Sequence, residues 1–139
     1  MQVEEFLDSA REAEQEIERL EEKLMRLEAR ARRVTAVYRQ TGGGSGNGPE
    51  DVWVQLVQQR ERLAHRMQAA AQQQEQVEEF LTRLGQVRLR EILRLRFLNY
   101  LTIEEAAKRM GYSYDAAKKL SARAMRAART IWQAEHGTH

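Results

Sequence analysis

No cysteine occurs among the 139 residues. Disulfides, thiolate metal sites and cysteine nucleophiles are therefore excluded, and a reducing compartment is compatible. A single proline, Pro49, leaves helix formation almost uninterrupted. Aromatics make up only 6% of the chain while charged residues reach 32%. That is a poor basis for a large globular core and suits long solvated helices. No stretch approaches the roughly 20 apolar residues that a bilayer-spanning helix needs. The first residues are acidic and lack a basic segment followed by an apolar run, so no secretory signal is expected and a cytoplasmic location is. The length suits one domain, or a small domain with an extended element.

The charge is unevenly spread. Residues 1–31 carry ten Asp and Glu against five Lys and Arg, whereas residues 82–130 carry twelve Lys and Arg against four Asp and Glu. The net charge of +2 hides this division. One end repels polyanions and the other attracts them, and a basic C-terminal third is the electrostatic footprint of a nucleic-acid binder.

The hydrophobic spacing is helical throughout. Val3, Ala10, Ile17, Leu24, Ala31 and Tyr38 recur every seventh residue, and Phe6, Ala13, Leu20, Leu27 and Val34 form a second series offset by three. Alternating three-four spacing makes one narrow apolar seam, which a lone helix cannot bury. The stretch "TGGGSGNGPE" (residues 41–50) is too glycine-rich for helix or strand and reads as a turn. Without a preceding strand or a Gly-Lys-Ser/Thr run, it does not read as a nucleotide loop. Pro49, Glu50 and Asp51 suit the first turn of a second helix. Its seam follows as Trp53, Leu56, Leu63, Met67, Ala70, Val77, Leu81 and Leu84, interrupted by Arg60 and Gln74, up to Gly85. Residues 1–85 are thus expected to form an antiparallel helical hairpin (a coiled coil) about 50 Å long at about 1.5 Å per residue, with its Gly-rich turn at 41–49.

From Gln86 the pattern changes to three shorter helices, expected over residues 86–133, with 134–139 as a disordered tail. Leu89, Ile92, Leu93 and Phe97 share the inner face of the first. Thr102 is a good N-cap and Glu105, three residues on, completes a capping box. Ile103, Ala106, Ala107 and Met110 turn inward. Ala107 and Gly111 answer two needs of a helix-turn-helix: a small residue where the helices cross and one that tolerates left-handed angles. Ser113 caps the last helix, whose inner face is Ala117, Leu120, Ala124 and Ala128. Asp115, Lys118, Lys119, Ala122, Arg126 and Arg129 face out, flanked by Tyr114 and Arg123. Arg94 and Arg96 either solvate the first helix or, for Arg96, pair with Glu104 or Glu105. Tyr112 and Trp132 suit core or edge packing.

The string "REILRLRFLNYLTIEEAAKRMGYSYDAAKKLSARA" resembles the region-four DNA-binding domain of bacterial sigma factors. In that family an Arg-Glu…Leu-x-Leu-Arg-Phe/Tyr helix precedes a Thr/Ser-x-x-Glu helix and a Ser/Thr-capped recognition helix. Arg90, Glu91, Leu93, Leu95, Arg96 and Phe97 stand at matching places, as do Thr102, Glu105, Ala107, Gly111, Ser113, Lys118, Arg123 and Ala124. Residue 117 is Ala where the family favours Val or Ile, so a looser core or closer helices are expected there. No counterpart of the promoter-melting and core-binding sigma region is present, which implies something other than a complete initiation factor. The layout is similar to small phage-encoded regulators of the RinA and ArpU type.

The resemblance implies double-stranded DNA as a partner, read by the first turns of the last helix. Tyr114, Asp115, Lys118 and Lys119 match base-contacting positions: lysine donates to guanine O6 and N7, and aspartate accepts from cytosine N4. An acid in the first helical turn is also stabilising by itself. Thr102, Arg109, Ser113, Arg123 and Arg126 are the expected phosphate contacts, which set register and salt dependence. RNA polymerase and a second copy, joined through the hairpin, are the further expected partners.

No Ser-His-Asp grouping, paired-carboxylate cleft or nucleotide motif stands out. His65 is isolated, and His136 and His139 lack further ligands for a metal. The expectation is a non-enzymatic protein without cofactor, acting as a sequence-specific transcription regulator of phage or prophage type in a bacterial host cell. Two alternatives compete with it. A phage small terminase also joins a helix-turn-helix to a helical hairpin, although usually in the opposite order. An RNA polymerase-binding adapter would use the same domain without direct DNA readout.

Overall fold

The computed structural model describes residues 1–42 and 49–137. Most of the expected Gly-rich turn, residues 43–48, lies outside the described residues. Among the described residues the chain is all-α, with helices α1 (Val3–Thr41), α2 (Pro49–Leu81), α3 (Val87–Phe97), α4 (Ile103–Met110) and α5 (Tyr114–Glu135) and no strand. None of these helices is long and apolar enough to cross a membrane. Packing divides the chain into two compact units, Gln15–Ala71 and Met1–Glu14 with Gln72–His139.

In the unit Gln15–Ala71, α1 and α2 run antiparallel. Trp53 Nε1 donates to Thr35 Oγ1 at 2.9 Å, Arg60 to Glu28 at 2.8 Å and Arg66 to Glu16 at 2.5 Å. The partner number falls as the residue number rises, as an antiparallel pair requires. Leu20, Ala31, Leu56, Leu63 and Ala70 are buried on the seam. Arg60, which interrupts the seam in the sequence, is accommodated because its guanidinium reaches sideways to Glu28.

The other unit draws its boundary differently from the expected division at residue 85. The start of α1 and the end of α2 share one core with α3–α5. Val3, Leu7, Ala10, Val77, Phe80, Leu81 and Leu84 are buried in it. Leu7 and Phe80 lie beside the heptad seam rather than on it. They widen the apolar stripe, and this lets the helix ends cover α5 as well as each other. The Phe6, Phe80 and Trp132 rings close that contact, with centroids 4.8–5.8 Å apart. Gln74, the second polar residue on the seam, donates to Glu14 at 2.8 Å and to the Tyr100 hydroxyl at 3.1 Å. Tyr100 in turn donates to the Ala10 carbonyl at 3.2 Å and holds a left-handed backbone, φ 60°. Buried polar groups thus find partners, and none of the buried side-chain N or O atoms described is left unpaired.

Both helix ends expected near 81–85 and 134 shift. α2 stops at Leu81, after which the backbone tightens: the Arg83 and Leu84 amides reach back three residues to Phe80 and Leu81. Arg90 donates to the Leu84 carbonyl at 2.7 Å. At the other end α5 continues to Glu135, two residues into the stretch expected to be a tail. Arg83 pairs with Glu135 at 3.1 Å, and the His136 ring stacks on Trp132 with centroids 3.8 Å apart. These contacts supply the order that a polar terminal sequence does not announce. Residues 138 and 139 lie outside the described residues.

The turn between α4 and α5 behaves as its sequence requires. Gly111 is left-handed, φ 75°, and the Tyr112 amide donates to Ala107 O at 2.9 Å, closing a Schellman motif. A side chain at Gly111 would meet nothing within 4 Å. The left-handed angle is therefore what calls for glycine at 111, while Ala107 is the small residue buried between the helices. Gly111→Ala should cost roughly 1–2 kcal/mol in urea unfolding, from the left-handed angle alone. A cost above the range for Leu-to-Ala core truncations would show that the site is crowded after all.

Candidate nucleic-acid interface

Two caps place the surface around α4 and α5. The Glu105 amide donates to Thr102 Oγ1 at 3.1 Å and the Thr102 amide to Glu105 Oε1 at 3.0 Å, a complete capping box. Ser113 Oγ accepts from the Ala116 amide at 3.1 Å. Both hydroxyls serve as acceptors in these caps, so each O–H can still donate to a phosphate. Thr102 and Ser113 are exposed. The hydrogen bonds from Thr102, backbone first, hold the Glu105 carboxyl below its ordinary value of 4.5.

The rotation of α5 is set by small residues. Ala117, Ala124 and Ala128 are fully enclosed, and Leu120 is nearly so. Ala106 and Ala107 of α4 are equally enclosed. With methyl groups on both sides, α4 and α5 can approach closely, which is how the core accommodates Ala117. Ser121 and Met125 are buried too, although the pattern of apolar residues had not marked Ser121 as an inward position.

Arg96 accounts for Ser121. Its Nη1 donates to Ser121 Oγ at 2.7 Å, neither solvating α3 nor pairing with Glu104 or Glu105. Burial pushes the Arg96 guanidinium below its ordinary value, and the nearby Asp8 carboxylate opposes that shift. One charged hydrogen bond therefore joins α3 to the middle of α5, one turn beyond Lys118. The sequence offers only a serine one turn after Ala117, whose inward place becomes legible once the partner is known.

With α5 so fixed, Tyr114, Asp115, Lys118 and Lys119 all lie exposed on its first two turns. Arg123 and Arg126 are exposed one and two turns further on, and Arg109 is exposed in the last turn of α4. The structure thus brings the expected base contacts together on one helix face.

Two groups stand out among the basic residues of this unit. Arg83, Arg90, Arg96 and Arg129 are occupied within the fold; Arg129 binds Glu4 at 2.7 Å. That contact, led by the hydrogen bond, lowers the Glu4 carboxyl below its ordinary range. Arg109, Lys118, Lys119, Arg123 and Arg126 enter no ion pair among the described residues. An exposed cation without an internal counter-ion keeps its full attraction for a polyanion. Arg88 joins this second group and was not among the expected contacts. Its guanidinium lies over the Tyr112 ring, 5.6 Å from the centroid, beside the turn that leads into α5. No group of three or more His, Asp or Glu residues is placed to hold a metal among the described residues.

Residues 87–130 match the family model of Sigma-70, region 4. The match takes in all of α3 and α4 and α5 as far as Thr130. Among curated proteins and among solved structures, nothing matches the chain. The C-terminal three helices are a sigma region-four-like helix-turn-helix, a DNA-binding domain.

The two groups of cations should separate by stability. Arg96→Ala removes a charged hydrogen bond to a buried hydroxyl and should lower unfolding free energy by roughly 1–3 kcal/mol. Lys118→Ala should stay within about 0.5 kcal/mol of the wild type. Equal losses in urea unfolding would contradict the division. Acidification should act through Glu105, whose folded value lies below its unfolded one. Its contribution is present above about pH 4.5 and is lost as pH falls through the lowered folded value. The stability gap between wild type and Glu105→Gln should therefore narrow from pH 7 to pH 3. A constant gap would contradict the capping-box assignment.

Proposed function

We propose that the chain is a sequence-specific, DNA-binding transcription regulator of phage or prophage type that works in the cytoplasm of a bacterial host. It is a binding protein rather than an enzyme and needs no cofactor. The observation that carries the reading is the face of α5 at Tyr114, Asp115, Lys118 and Lys119, exposed at the start of a recognition helix. No ion pair inside the described residues competes for its lysines.

In this reading the first turns of α5 enter the major groove. Lys118 and Lys119 donate to guanine edges, and Asp115 accepts from a cytosine amine. Tyr114 packs on a thymine methyl or bonds a phosphate. Arg109, Arg123 and Arg126, with the hydroxyls of Thr102 and Ser113, grip the phosphates on either side. The acidic start of α1 would be repelled by DNA. The helical hairpin therefore serves protein partners, a second copy or RNA polymerase. The phage assignment follows the layout of a helical N-terminal segment before a sigma-like C-terminal domain.

Recovery and sequencing of DNA bound by the purified protein from fragmented genomic DNA, at physiological salt, tests the reading. A sharp peak upstream of a block of genes is expected. Enrichment no better than random fragments would contradict direct readout and favour the polymerase-adapter alternative. On the recovered site Lys119→Ala should cost about 1–3 kcal/mol and relax specificity at one base pair. Arg123→Ala should instead weaken binding to all sequences alike and reduce the slope of log K against log salt by about 1.

A further inference from the structure

The link from α3 to α4 turns sharply at Tyr100. The Leu98 and Asn99 amides still reach back to the Arg94 carbonyl at 2.9 and 3.0 Å, and the Leu101 amide reaches the Leu95 carbonyl at 3.0 Å. Tyr100 makes this reversal with a left-handed backbone, φ 60°. Among the described residues it is the only non-glycine with a positive φ. A Cβ is strained there, whereas glycine is not. A tyrosine kept in a conformation that favours glycine points to a task for its side chain.

That side chain reaches both hairpin helices. Its hydroxyl donates to the Ala10 carbonyl of α1 at 3.2 Å and accepts from Gln74 Nε2 of α2 at 3.1 Å. Gln74 is itself anchored to Glu14 at 2.8 Å. The Arg11 guanidinium lies 5.9 Å from the Tyr100 ring centroid. Around this tie the packing is open. A cavity of about 200 Å³ is bounded by Asp8 and Arg11 of α1 and by Phe97, Tyr100, Leu101 and Thr102. Atoms lining a void lose their packing partners, so close contact does not fix the link on this side. The directed bonds of the Tyr100 hydroxyl fix it instead. Two residues on stands Thr102, the exposed N-cap of α4, whose O–H is given to a DNA phosphate above.

We propose that Tyr100 is a positioning residue for the phosphate grip: through its hydroxyl, the start of α1 and the end of α2 hold Thr102 where a DNA phosphate meets it. This rests on the DNA-binding reading above and adds the hairpin ends to it, as a support that itself touches no DNA. Base readout belongs to α5, which its enclosed alanine face and Arg96 orient without Tyr100. Loss of the tie therefore weakens the hold on every DNA sequence and leaves discrimination between bases intact.

The test uses the full-length protein and two duplexes of equal length, one carrying the recovered site and one of random sequence. Both are titrated at a single salt concentration, low enough to measure the weakest variant. Tyr100→Phe keeps the ring and the strained backbone and removes the hydroxyl. It should weaken binding to both duplexes about fivefold, the size of one lost hydrogen bond, with their ratio unchanged. Thr102→Asp keeps a capping side chain and repels the phosphate. On that background, adding Tyr100→Phe should change affinity by less than about twofold, since the two act on one contact. Tyr100→Gly takes the left-handed angle without strain but lacks the hydroxyl, and it should bind no better than Tyr100→Phe. Helical content by circular dichroism checks that each variant folds. Undiminished binding by Tyr100→Phe or Tyr100→Gly, a loss confined to the recovered site, or a full loss that persists beside Thr102→Asp would each overturn the proposal. A wild type that binds neither duplex would overturn the DNA-binding reading itself and this proposal with it, so the two failures are told apart.

Discussion

The enclosed alanine face of α5 is the contact on which the C-terminal domain depends. Ala117, Ala124 and Ala128 have no exposed surface, so α5 cannot rotate about its axis without breaking into the core. That constraint decides which side chains look outward, and here they are Tyr114, Asp115, Lys118 and Lys119. Arg96 strengthens it by holding Ser121 in the middle of the buried face. A recognition helix is only as specific as its orientation is fixed, because side chains must be held to hydrogen-bonding accuracy. The packing of α5 is thus the physical origin of any sequence readout.

The same core explains why the two ends of the hairpin belong with the DNA-binding helices. A three-helix domain of this size buries little apolar surface by itself. Val3, Leu7 and Ala10 of α1, with Val77, Phe80, Leu81 and Leu84, enlarge the core around α5. Polar links add direction: Gln74 and Tyr100 tie α1, α2 and the link between α3 and α4 into one hydrogen-bonded group. The hairpin's remaining length forms a compact unit of its own, Gln15–Ala71.

Much of this organisation was legible in the sequence because the signals are local. Heptad spacing names the seam, Thr102 with Glu105 names a helix start, and Gly111 with Ser113 names a turn. Each depends on neighbours within a few residues. What escaped depends on residues far apart in the chain. Leu7 and Phe80 are off the seam; Leu7 is buried in the core shared with α3–α5, and Phe80 is covered by the Phe6 and Trp132 rings. Ser121 looks like a surface serine until Arg96 reaches it across 25 positions. The order of α5 up to Glu135 rests on Arg83, and nothing in "AEHGTH" foretells that partner. For the candidate site, periodicity alone placed the outward face of α5. It could not tell that Arg129 is held by Glu4 while Arg123 and Arg126 stay unpaired among the described residues.

The central claim is that the start of α5 lies in a DNA groove. Its most direct measurement is an amide-shift titration of the isotope-labelled protein with a short duplex carrying a recovered site. The account predicts the largest perturbations at residues 113–123, with smaller ones at Thr102 and Arg109 and none along α1. Shifts concentrated on α1 or α2, with the start of α5 unmoved, would contradict it.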